Sequence, residues 1–397
     1  MAGISGQGTT FNLPNFVGEL FGITPEDTPL LASIGGLTGG KAAQAKRFEW
    51  EFYDLRAPSD RARLEGANAP TAEARIRANA YNVLQIIQEA VEVSYTKLAA
   101  RQHLDSAVIV GGQANPVVNE FDWQLEQALK QIALDVNYAF INGQFAEPTD
   151  NTAARKTRGL LQAIATNVLA KQEQALPALA ASAAADDQID FASAHGLSDG
   201  DVIKFTALTG GTGLATATRY FVQIESTTAV YVSTTRGGTP VNFTADVTAG
   251  TAVKVPRATS EDILNAMQLA YDNGGLMIGE TRVALVGPLQ KRRLTQALVT
   301  DKSYQETSRN VGGVNLTVIE TDFGNLNIMV DRQMPVDTMA LVSLEDLAPV
   351  MLEIPGKGFL FAEPLAKVGA AERSQIYGEI GLEYGNERKH AKITGLG

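Results

Sequence analysis

Apolar and polar positions change rhythm several times along this chain. In RFEWEFYDLR, from Arg47, Phe48, Trp50 and Phe52 alternate with Arg47, Glu49 and Glu51. A period of two marks a half-buried strand. A second strand is expected from Tyr81 to Tyr95, where Val91 and Val93 alternate with Glu92 and Ser94. The segment between them is charged, poor in large apolar residues and broken by Pro58 and Pro70. Together they predict a long hairpin with a charged tip. Such a hairpin buries no face by itself and needs a partner surface.

The rhythm then becomes helical. Asn115-Pro116 offers an N-cap and a first helical residue. After it, Phe121, Leu125, Leu129 (or Ala128 in its place), Ile132, Val136 and Phe140 recur every three or four positions. That stripe predicts one long helix over 116–142, closed by Asn142-Gly143. A shorter helix is expected near Leu160 to Leu169. From 186 to 256 the chain turns to short runs rich in Val, Thr and Tyr, with Gly-Gly turns at 210–211 and 237–238. This reads as a small all-β domain inserted in a loop, where two chain ends lie close together.

Beyond it the pattern is α/β. TSEDILNAMQLAYDNGG is a capped helix, TRVALVG a buried strand, and PLQKRRLTQALV a helix opened by proline. GGVNLTVIETDFGNLNIMVDR is a hairpin, with Val314, Leu316 and Val318 facing Leu326, Ile328 and Val330. The last fifty residues alternate again, as in Ile376, Gly378, Ile380, Leu382 and Tyr384. Residues 1–45 hold only apolar islands, among them Phe11 and Phe16, and read as an extended arm lying on another surface.

Composition removes several kinds of chemistry. The 397 residues contain no Cys, and the three His are far apart, so disulfides, thiol catalysis and a His-built metal site are not expected. The net charge of −11 argues against a general nucleic-acid binder. No run of about 18 apolar residues suggests a membrane span, and the N-terminus does not read as a signal peptide. GGLTGGKA (35–42) lacks the Ser or Thr of a phosphate-binding loop, and Asp322-Phe323-Gly324 lacks every companion motif of a kinase. Both read as turns, as do Asp186, Asp187, Asp190, Asp199 and Asp201. The basic runs Arg155/Lys156/Arg158 and Lys291/Arg292/Arg293 read as solvated faces or intersubunit ion pairs, with phosphate contact as the other reading. Tyr220, Phe221 and Tyr231 suit a strand core better than a sugar platform. No catalytic constellation and no cofactor site emerges.

Six phrases in order carry a resemblance: TPLLASIG, KRFEWEFYDLR with LEGANAP, VEVSYT, DWQLEQALKQIALDVNYAFING, TDFGNLNIMVDRQMP and PLAKVGAAERSQIYGEIGLEYGNE. The chain resembles the major capsid proteins of tailed bacteriophages with the Hong Kong 97-type fold, over nearly all its length except 186–256. The resemblance implies an α+β fold with an N-terminal arm (1–45), an E-loop hairpin (46–97), a P-domain (98–185) with its spine helix at 116–142, an inserted β domain (186–256), an A-domain (257–345) and returning P-domain strands (346–397). It implies a shell subunit, not an enzyme, that assembles as hexamers and pentamers around double-stranded DNA in a virion. It leaves room for cement and scaffolding proteins, although no charged coiled segment suggests a fused scaffold. An encapsulin-like nanocompartment shell is the alternative. Intersubunit contacts are expected from Arg56, Arg61, Arg63, Glu65, Arg75, Arg77, Phe11 and Phe16. Phe121, Leu125, Leu129, Ile132 and Val136 are expected to form the core of the spine helix. Some members of the fold lock the shell through an E-loop lysine, but this chain has none between Asp54 and Tyr81. Non-covalent locking through its arginines follows.

Overall fold

The computed structural model describes residues 26–53, 55–56, 58–99, 120–276, 280–301, 306–311 and 314–397. The chain passes through a short helix, α1 (Pro29–Ser33), to β1 (Lys41–Ala43), β2 (Arg47–Tyr53), β3 (Arg77–Val83), β4 (Gln85–Ser94) and α2 (Tyr95–Ala99). β2 and β3 pair antiparallel, Arg47 opposite Val83 and Tyr53 opposite Arg77. The strand expected from Tyr81 to Tyr95 is therefore two strands in two sheets. The break falls at Leu84, fully buried, whose N–H donates to the Lys46 carbonyl at 2.8 Å.

The long helix, α3, runs Glu120–Asn142; the expected cap at Asn115-Pro116 lies outside the described residues. Ala128, Ile132, Val136 and Phe140 are buried along one stripe, and Phe121 and Leu125 pack partly buried against the same core. Each fully buried side chain of this size contributes about 1.5–3 kcal/mol. Leu129 does not belong to that core. It is 42% exposed, because Ala128 takes the inward position and turns its neighbour outward. The next helix, α4 (Leu160–Ala163), is shorter than expected, and the chain is already a strand at β5 (Val168–Ala170).

A separate six-stranded sheet follows, from β6 (Gln174–Ala175), β7 (Gln188–Asp190), β8 (Val202–Gly210), β9 (Arg219–Ile224), β10 (Ala229–Ser233) and β11 (Val247–Val255). Its strand order is β6-β11-β8-β9-β10-β7. Ile189, Phe205, Tyr220, Val222, Val230 and Phe243 form a core of its own. Tyr220 is in that core, its hydroxyl accepting the Ala215 N–H at 2.9 Å. The sheet starts ahead of the expected boundary at 186. Leu176 and Leu179 pack on its core, from an Ala/Leu-rich stretch with no period-two signal to announce them.

The rest comprises α5 (Ser260–Asp272), β12 (Arg282–Val286), α6 (Pro288–Asp301), β13 (Glu306–Val311), β14 (Val314–Thr321), β15 (Gly324–Val330), β16 (Met339–Ser343), β17 (Ala348–Leu352), β18 (Leu360–Pro364), β19 (Ala371–Glu383) and β20 (Ala391–Thr394). Thr259 caps α5 in a full capping box with Asp262. One mixed sheet has the order β13-β14-β15-β12-β16-β20-β5. Its β14–β15 register sets Ile319 against Leu326 and Thr317 against Ile328, one residue off the expected facing, and Val330 is exposed. Val283 and Leu285 of β12 face the core that holds α3, while Ala284 and Val286 face the core under α5 and α6. Covered on both faces, β12 reads as an unbroken apolar run. A second mixed sheet has β1, β17, β19 and β18 in order, with β4 also pairing with β19.

Candidate assembly surface

The hairpin's base and tip differ in how the subunit supports them. At the base, Trp50 donates its indole N–H to the Gly385 carbonyl at 2.7 Å and sets its ring edge against Tyr384. Fully buried Asn82 donates to the carbonyls of Leu382 at 2.7 Å and Arg158 at 3.1 Å, and its side-chain oxygen accepts the Arg158 N–H at 2.8 Å. Arg155 pairs with Glu379 of β19 at 2.6 Å. The Trp50 and Asn82 bonds fasten β2 and β3 to the β19 sheet across some three hundred residues of sequence, and the Arg155 pair ties the segment after α3 to the same sheet.

Among the described residues the tip has no comparable bond to the rest of the subunit. The described residues from 58 to 76 are exposed throughout. Leu64 is 87% exposed and Ile76 80%, with Tyr53 and Leu55 also open to solvent. Large apolar side chains concentrated on one projecting loop mark a surface that another molecule covers. Leu129 opens a second apolar face: with Leu125, Phe359, Phe361 and Ile376 it lines a groove of about 590 Å³ between α3 and β18.

The expected contact residues distribute as follows. Arg56, Arg61 and Arg75 converge on Glu73 of the same loop, at 3.6, 2.6 and 3.4 Å. Arg77 pairs with Glu51 across the hairpin at 2.8 Å. Arg63 and Glu65 are exposed at the tip. Phe11 and Phe16 lie outside the described residues. The Arg61 and Arg75 guanidinium groups hold the Glu73 carboxyl below the usual range, with Arg61 the larger cause. Within the subunit the arginines thus brace the loop on one carboxylate, and sequence spacing did not reveal Glu73 as their meeting point.

A second cluster escaped the sequence reading. Asn137 sits in the apolar stripe of α3 between Val136 and Phe140, yet it is fully buried. Its side-chain oxygen accepts the Leu31 N–H at 3.0 Å, and its amide donates to Gln333 at 2.7 Å. Arg332, beside that loop, pairs with Asp27 at 2.9 Å, and Lys130 of α3 with Glu26 at 3.1 Å. The start of the described chain is thereby tied to the long helix. An amide in the middle of an apolar stripe was the one available signal.

No helix among the described residues is long and apolar enough to cross a membrane. Comparison with solved structures gives the fold. The cyanophage A-1(L) capsid subunit is similar at a TM-score of 0.52 and 11% identity, covering 98% of each chain. The SrpI encapsulin of Synechococcus elongatus PCC 7942 aligns over 97% of this chain and 92% of its own at 9% identity, but its TM-score of 0.48 carries no argument. The cyanophage P-SCSP1u capsid, at 11% identity and 0.46 over 97% and 93%, carries none either. No curated protein matches the sequence. The sequence model of the family described as SU10 major capsid protein matches residues 3–397. The chain therefore belongs to the SU10 major capsid protein family, with an α+β capsid fold: it is a structural protein of the tailed-phage virion that self-associates into an icosahedral capsid shell.

Proposed function

We propose that the shell is of the Hong Kong 97 type, built of hexamers and pentamers around double-stranded DNA, and that the subunit has no catalytic role. In this reading residues 1–45 are the N-terminal arm, 46–97 the E-loop, 98–185 the P-domain with its spine helix at 116–142, 257–345 the A-domain and 346–397 the returning strands. The observation that carries it is the hairpin, clamped at its base through Trp50 and Asn82 and apolar yet exposed at Leu64 and Ile76. Ordering a loop costs about 1–2 kcal/mol per residue, which a neighbouring subunit offsets by covering that surface. The excess of acidic residues suits a wall that encloses DNA without adhering to it. Electron microscopy of purified protein under assembly conditions is expected to show closed shells of five- and six-fold capsomers. Protein that stays monomeric, or shells without five-fold vertices, would contradict the proposal.

The β unit (186–256) is, in the same reading, a domain inserted between P- and A-domain elements, and its sheet takes in β6 from the end of the P-domain span. Its separate sheet and separate core support this. Replacing 176–254 by a short Gly/Ser linker is expected to leave soluble, helical protein by circular dichroism. Loss of the helical signal would refute the insertion.

A further inference from the structure

One buried guanidinium has donors that the described part of the subunit leaves without partners. Arg293 lies on α6 and is 2% exposed. Its Nη2 donates to the Gly200 carbonyl at 2.8 Å, whereas Nε and Nη1, both sealed from solvent, have no hydrogen-bond partner. Gly200 adopts a left-handed conformation, φ +75°, and a Cβ there would meet the Arg236 Nε at 3.0 Å. Arg236 therefore packs over the same turn. The next residue, Asp201, is 3% exposed and has both oxygens engaged. It accepts the Ser198 N–H at 2.8 Å and pairs with Lys254 and Arg257 at 2.7 Å each. The Arg257 Nε is another buried donor without a partner.

Asp201 thus pairs directly with Lys254 and Arg257 and attracts Arg293, while Arg257, Arg236 and Arg292 all repel Arg293. Burial, then repulsion from Arg257 and Arg236, lowers the Arg293 guanidinium to about 10, and the attraction of Asp201 does not offset them. Buried donors without acceptors and buried charge without counter-charge both cost free energy. A bound anion removes both penalties. Arg236 and Arg292 are exposed and stand at the solvent edge of the cluster. A guanidinium fork matches a tetrahedral oxyanion with two parallel bonds.

We propose that the junction between the β unit and α6 is a binding site for a phosphate-class oxyanion, with Arg293 as its floor, Arg257 as a second donor and Arg236 at its mouth. The basic run 291–293 thereby resolves into different roles, because Arg293 is buried beneath the Gly200 turn while Arg292 lies at the surface. The site stands on geometry within one subunit and does not depend on how shells are arranged. Free inorganic phosphate and a nucleic-acid backbone phosphate present the same chemistry to it.

The test is equilibrium dialysis of the unassembled full chain against radiolabelled inorganic phosphate, with sodium chloride holding the ionic strength fixed. Saturable binding of one phosphate per chain is expected. Arg236→Gln and Arg257→Gln are each expected to weaken it about 10–100-fold, the loss of one charge-assisted bond, and Arg293→Gln to abolish it. Arg236 is exposed, so R236Q reads out binding even if R293Q fails to fold. Absence of saturable binding would overturn the proposal, and so would wild-type affinity in both R236Q and R257Q. Adding a short DNA duplex separates the sources. Displacement of the label assigns the site to backbone phosphate, retention assigns it to the free ion, and either result supports the site.

Discussion

Asn137 donates to the Asp331 carboxylate at 2.8 Å where both side chains are fully buried. Burial raises the Asp331 carboxyl above its ordinary value, and the bonds from Asn137 and from the Gln333 N–H oppose that rise. The same amide holds Leu31 and Gln333, so three segments meet on one side chain. Asn137→Leu keeps the branching at Cγ, with some added bulk, but leaves the Leu31 N–H unpaired and Asp331 one donor short. A loss of about 3 kcal/mol is expected from urea unfolding of the unassembled protein, since each orphaned buried polar group costs about 1–3 kcal/mol. Wild-type stability would show that water replaces the amide at no cost.

A second measurement concerns acid. His390 is fully buried; its Nε2–H donates to the Tyr384 carbonyl at 3.0 Å and its Nδ1 accepts the Ser343 N–H at 3.4 Å. Burial is the main cause that lowers its pKa; Lys389 lowers it further, and the Tyr384 carbonyl, Asp346 and Glu280 act the other way without prevailing. The folded state therefore stays unprotonated where the unfolded chain takes up a proton, below about pH 6.5. Stability is then lost as pH falls through that value, by up to about 1.4 kcal/mol per pH unit. His390→Gln, compared with wild type between pH 7.5 and 5, is expected to flatten that part of the profile. Identical slopes would exclude His390 as the cause.

The long helix separates folding from assembly. Ile132→Asp puts an unpaired charge among Val136, Phe140 and the β12 face, at a cost of about 3–5 kcal/mol. It is expected to yield no soluble folded protein. Leu129→Asp alters a side chain 42% exposed, so its effect on the isolated fold stays below about 1 kcal/mol. If the groove beside Leu129 is covered in the shell, that variant folds but assembles poorly. Circular dichroism and particle yield, read together, distinguish the two sites.

These cases show where sequence pattern sufficed. The alternation of β2, the stripe of α3 and the capping box of α5 are local, and local spacing reports them. The break at Leu84 was hidden because β3 and β4 both alternate; what separates them is that β4 pairs with β19 nearly three hundred residues away. Leu129 and Ala128 both satisfy helical spacing, and only the tight approach of neighbouring elements favours the smaller residue inside. Arg56, Arg61 and Arg75 announce charge but not a partner, since Glu73 reaches them through the fold-back of the loop. The Arg293 site needs a turn from the β unit laid over α6, which no linear pattern encodes.

The hairpin tip gives the last prediction. Arg61 and Arg75 share the Glu73 carboxylate and stay exposed at the tip. Acidic groups of an adjacent subunit can meet these guanidinium groups there, and the exposed Leu64 and Ile76 supply apolar contact beside them. Single exposed ion pairs contribute about 0–1 kcal/mol, but one set recurs at every subunit of a shell. Replacing Arg56, Arg61, Arg63, Arg75 and Arg77 together by Ala is expected to leave the melting of the unassembled protein almost unchanged while sharply reducing shell yield, most of all at low salt, where the wild-type ion pairs are least screened. With no lysine in the loop to form a cross-link, wild-type particles boiled in detergent are expected to run as one band near 42.3 kDa. A ladder of covalent multimers would rule out non-covalent locking, and shells that form normally without the five arginines would rule out their part in it.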